Sequence, residues 1–81
     1  VYMSELNIWM DFINTECDIE FMHKDDVYVV KDINNKKHIV KNDYFLPDVY
    51  TSEQILEKLN IDNKCLKNLI EENHVKILSI F

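Results

Sequence analysis

Apolar positions along the chain change period three times. Leu6, Trp9, Met10 and Ile13 recur at helical spacing, with Ile8 and Phe12 widening the stripe, which predicts an amphipathic helix from about Glu5 to Thr15 capped by Ser4. A stripe this broad fits burial against the protein's own sheet, or against a second copy or a partner, and Trp9 is the anchor in either case. From Asp18 to Met22 the period drops to two, with Ile19 and Phe21 on one side and Asp18, Glu20 and Met22 on the other. Val27-Tyr28-Val29-Val30 and His38-Ile39-Val40 follow as β-branched runs, separated by polar turns at Lys24-Asp25-Asp26 and from Asp32 to Lys37. The pattern predicts a three-stranded antiparallel meander whose strongest part is the hairpin from Val27 to Val40. Asn42-Asp43 then breaks the strand, and Pro47 implies an extended connection.

Helical spacing returns at Ile55, Leu56 and Leu59 and again at Leu66, Leu69 and Ile70, on either side of a break at Asn60 and Ile61. Thr51 or Ser52 suits the start of the first helix and Asp62 the start of the second, because each side chain can accept from free first-turn amides. Asn73 stands where a helix ends in a left-handed residue, and Val75-Lys76-Ile77 reads as a strand. The expectation is a helix-turn-helix followed by a partial wing. Val75 to Phe81 can pair with the meander or with the same strand of another copy, the first being preferred.

From Tyr50-Thr51 through Ile55, Leu59, Ile61-Asp62, Leu66, Leu69, Ile70 and Glu72 to Val75, this segment resembles the DNA-binding domain of small excisionases and of mercury-resistance-type transcription regulators. Asn73 stands in place of the glycine usual there. The resemblance implies a second helix lying in the major groove, with Asn63, Lys64, Lys67 and Asn68 toward base edges and Lys58 and Lys76 near phosphate. The chain departs from these relatives in having no Arg, in placing Glu71 where a base is common, and in lacking a returning wing strand.

Charge pulls the other way. The net charge is -6, and residues 1–50 carry ten acids against five Lys, while residues 51–81 carry five against four. A field of this sign slows approach to phosphate, so DNA binding would need a local Lys face. The same acids suggest a second function: Asp18, Glu20, Asp25 and Asp26, with Trp9, as a negative surface docking a basic protein. A solvated acidic face is the plainer account of those carboxylates.

Gly, Ala and Arg are absent while Ile, Asn, Lys and Asp abound, the bias of an AT-rich coding sequence, such as that of a low-GC bacterium, its phage or a virus. Lack of Gly argues against phosphate-cradling loops and hydrolase elbows. Cys17, His23, His38, Cys65 and His74 lack the close spacings of structural zinc, so no metal or cofactor is expected. The acids alternate along a strand and a turn rather than pairing within a pocket, and no enzyme activity is expected. Two Cys and no membrane-length apolar run point to a soluble, cytoplasmic protein. Val1 and Tyr2 before Met3 leave open a fragment of something larger.

The sequence thus predicts an α+β single domain over residues 1–81: helix and meander in 1–48, helix-turn-helix with partial wing in 49–81. Two functions follow. One is a small DNA-binding regulator or recombination-directionality factor acting on double-stranded DNA, with a homodimer as an option. The other is an acidic interaction module or inhibitor, of phage or viral origin, that binds a basic protein and no DNA.

Overall fold

The computed structural model describes residues 5–81. Helix α1 spans Glu5–Ile13, and the expected Ser4 cap lies outside the described residues. Four strands follow in succession: β1 (Ile19–His23), β2 (Asp26–Ile33), β3 (Lys36–Lys41) and β4 (Tyr44–Tyr50). Then come α2 (Ile55–Lys58), a two-residue hairpin of β5 (Asn60–Ile61) and β6 (Lys64–Cys65), α3 (Leu66–Glu71) and β7 (Lys76–Ile80).

Strands β4-β3-β2-β1-β7 form one sheet in that order, every neighbouring pair antiparallel. The chain's last strand thus pairs with its first, Ile19 opposite Ile80 and Met22 opposite Lys76. The segment expected to pair with the meander does so within the chain. Pro47 lies where the β3–β4 register shifts, between the pairs His38–Val49 and Val40–Phe45. Its missing N–H belongs at such an irregularity or on an edge, so the stretch read as a connection is a strand after all.

The C-terminal half corrects the larger expectation. Among the described residues there is no helix-turn-helix and no winged DNA-binding domain. The α+β architecture predicted around one is overturned, among the described residues, by a mostly β molecule: a five-stranded antiparallel sheet, the small β5–β6 hairpin and three short helices. The reason lies at Asp62 and Asn63, which have φ of 54° and 64°. Two successive left-handed residues make the tight turn whose twist suits a β-hairpin. Asp62 therefore cannot cap a helix, and α3 begins only at Leu66, after Cys65, with no side-chain cap. Nor do Thr51 and Ser52 cap α2, whose first amide belongs to Ile55 and bonds the Thr51 carbonyl at 3.1 Å.

Among the described residues eight non-glycine positions have positive φ: five Asn, two Asp and Lys24. Asn34-Asn35 and Asn42-Asp43 form the β2–β3 and β3–β4 turns in the same way as Asp62-Asn63. Asn and Asp visit this region most readily after Gly, so a glycine-free chain uses them to turn. Asn73 ends α3 as expected: its N–H meets the Ile70 carbonyl at 3.1 Å, and the next N–H, of His74, reaches back to Leu69 at 2.8 Å. That pair of bonds satisfies carbonyls the helix would leave free.

All three helices contribute to one core with one face of the sheet. Trp9 and Ile13 from α1, Ile55 from α2, and Leu66, Leu69 and Ile70 from α3 pack with Ile19, Phe21, Tyr28, Val30 and Ile39. Trp9 is fully buried, its ring edge-on to Phe21 at 5.2 Å, and Phe21 stacks on Tyr28 at 5.2 Å. The apolar spacing of residues 55–70 thus marks a face buried within the chain.

Candidate docking face

Alternation along the strands decides which side chains face away from the helices. On β1 the burial of Ile19, Phe21 and His23 leaves Glu20 and Met22 on the other side; on β2, Tyr28 and Val30 leave Val27, Val29 and Lys31. Register carries the division across: Val29 lies opposite Val40, Val40 opposite Phe45, and His38 opposite Val49. No described element lies over this outer face.

Its centre is apolar. Val27, Val29 and Val40 floor a shallow cavity of about 320 Å³ whose rim is Glu20, Asn42 and Asp43. Phe45 continues the surface toward the β4 edge at 60% exposure, its ring edge-on to His38 at 6.4 Å. Val49 and Met22 are also exposed. Asn42 is held rigidly, its Oδ1 accepting the Val27 N–H and its Nδ2 donating to Asp26, both at 2.9 Å. Glu20 accepts from the Ser79 hydroxyl at 3.1 Å, whereas Asp43 makes no ion pair among the described residues.

The residues assigned to DNA scatter over four elements and a turn. Asn63 sits in the β5–β6 turn, Lys64 on β6, Lys67 and Asn68 on α3, Lys58 at the end of α2 and Lys76 on β7. Lys64 is engaged by Glu72 at 2.7 Å. No single helix presents the set, so the groove-reading geometry implied by the resemblance is missing.

Of the acidic set, only Glu20 lines the outer cavity. Asp18 accepts the Asp32 N–H at 2.9 Å and lies 3.8 Å from Lys31; Asp26 bonds Asn42 and lies 3.8 Å from Lys41; Asp25 is an exposed turn residue. Trp9, inside the core, has no surface to offer a partner.

Two polar clusters brace the helix side of the sheet. His23, buried at the end of β1, has Nδ1 2.9 Å from the His74 carbonyl and Nε2 2.9 Å from Asp62, which also binds Lys24 at 2.9 Å. Hydrogen bonds from Lys24 and then His23 hold the Asp62 carboxyl below its ordinary pKa, and Asp62 in turn raises that of Lys24. Glu72 is lowered likewise, first by its bond from Lys64. Lys37, buried on β3, donates to the Thr15 carbonyl at 3.2 Å and faces Asp32 at 3.7 Å. These clusters tie α1, the small hairpin and the α3–β7 link to the sheet. Among the described residues no three His, Cys, Asp or Glu converge as metal ligands, and no helix is long and apolar enough to cross a membrane.

The outer face was missed in the sequence, although a signal was present. Val27-Tyr28-Val29-Val30 has no polar alternate, and a strand apolar on both sides asks for cover on both. Comparison with protein-family models, curated proteins and solved structures found no match for this chain.

Proposed function

We propose that the chain is a small acidic docking module, not a catalyst, that binds a protein partner through the outer face of its sheet. The observation carrying this is the apolar row of exposed Met22, Phe45 and Val49 with half-buried Val27 and Val29 between them, against helix-side Ile19, Phe21, Tyr28, Val30 and Ile39, which are buried. Exposed apolar patches framed by polar groups are how soluble domains mark contact sites. The face is a better element than the β4 edge. Pro47 and Asp48 on β4 blunt strand addition, since proline lacks a donor and a charge resists stacking against another chain. A net charge of -6 disfavours a second copy and favours a basic partner.

The test is selection of binders from a displayed library of random decapeptides, on the wild-type chain and on the Phe45→Asp/Val49→Asp variant. Both positions are exposed, so the variant is expected to fold and to lose the selected binders. Binders that hold the variant as tightly as the wild type would place the contact elsewhere. The DNA reading has lost the helix-turn-helix that supplied its geometry, and no observation favours it over docking.

A further inference from the structure

The cavity on the outer face has a shape and charge that narrow the partner's chemistry. Its floor is three valines on β2 and β3, and its carboxylates come from opposite sides of β2: Glu20 from β1, and Asp43 from the β3–β4 turn. Asn42 contributes little to recognition because its amide is already bonded to Val27 and Asp26. Glu20 gives one oxygen to Ser79 and keeps the other, and Asp43 is free of ion pairs among the described residues. The lysines of this face are Lys31, drawn toward Asp18 at 3.8 Å, Lys36 at the start of β3, and Lys76, opposite Met22 at the far edge; none lines the cavity.

An apolar floor between two carboxylates suits a side chain that is aliphatic along its stem and cationic at its tip. Lysine and arginine are built that way, laying methylenes on apolar surface while the head stays polar. Arginine's planar fork can in addition meet a carboxylate with two parallel N–H bonds. We infer that the cavity bounded by Glu20 and Asp43 receives an arginine or lysine side chain from a basic partner segment, its stem on Val27, Val29 and Val40. This rests on the docking reading and adds the residue that gives the contact its specificity. An acidic segment is excluded by the same carboxylates.

The decapeptide library serves again as the probe, now read for composition. Peptides selected on the wild-type chain are expected to be enriched in Arg and Lys, and to bind Glu20→Gln/Asp43→Asn about tenfold more weakly, the effect of losing two partly solvated charge contacts. Both changes keep shape and polarity, and an unaltered circular dichroism spectrum verifies the fold. A selected pool with no excess of Arg or Lys overturns the inference and leaves the docking face standing. Basic peptides that bind the double variant undiminished overturn it too, because attraction is then general to an acidic chain. A library that yields no binder at all overturns both.

Discussion

On the helix side of the sheet Ile19, Phe21, Val30 and Ile39 are each exposed by 1% or less, whereas on the other side Phe45 and Val49 keep 60% and 42% of their surface in water. Both faces carry aliphatic and aromatic side chains, which on the outer one are mixed with Glu20, Lys31, His38 and Lys76. What separates them is three short helices, each too brief to persist alone in water and each held by the apolar side it buries. The covered face accounts for folding. The other face leaves apolar area of Met22, Phe45 and Val49 in water, and it is on this area that the docking proposal rests.

The comparison is broken most severely from the covered side. Trp9→Ala opens a cavity beneath α1 and separates the ring from Phe21; a loss of about 3–5 kcal/mol is expected in denaturant titration, enough to unfold a chain of this size. Lys37→Met leaves Asp32 buried without its cation and should lose about 3 kcal/mol, while Lys37→Met/Asp32→Leu recovers much of that. If the double variant is no more stable than the single one, the loss does not come from leaving Asp32 buried without its cation. On the uncovered side Phe45→Asp/Val49→Asp should shift stability by less than about 0.5 kcal/mol per residue, measured in the same titration. That contrast sharpens the assignment of roles.

The smallest expected effect concerns acid. Asp62 and Glu72 have folded pKa values below their ordinary ones, so their contribution is present above the unfolded carboxylate pKa and fades as pH falls through the folded value. Unfolding midpoints should therefore decline on acidification through and below the usual carboxylate range. Asp62→Asn should flatten part of that decline, and an unchanged slope would show that the bonds from Lys24 and His23 do not act on stability.

Much of the covered face was legible in the sequence. Leu6, Trp9 and Ile13 spell a helix, Val27 to Val40 spells a hairpin, and Asn73 ends α3 where a left-handed residue belongs. The apolar positions at Ile55, Leu59, Leu66, Leu69 and Ile70 are all buried, so their spacing reported burial faithfully. It did not report connection. The same stripe is compatible with helices joined by a turn or by a hairpin, and the choice rested on Asp62-Asn63, where Asp serves equally as a helix cap and as a left-handed residue. Without glycine the stronger of the two turn signals was missing. β4 was hidden by Pro47, and the candidate docking face by the fact that its members come from four strands, so that only register brings Glu20, Val29, Val40 and Phe45 onto one surface.

The pairing of β7 with β1 also sets an order of events in time. Strands β1 to β4 are joined by two-residue turns and can close in sequence, each over a short loop. The β1–β7 ladder joins residues more than fifty positions apart, and the entropy of closing that loop must be met before its bonds repay it. On a ribosome β7 emerges after the other four strands of its sheet. Until it arrives, β1 offers an open row of amides and carbonyls next to a finished hairpin, and this interval is when the nascent chain is most open to pairing with the wrong strand.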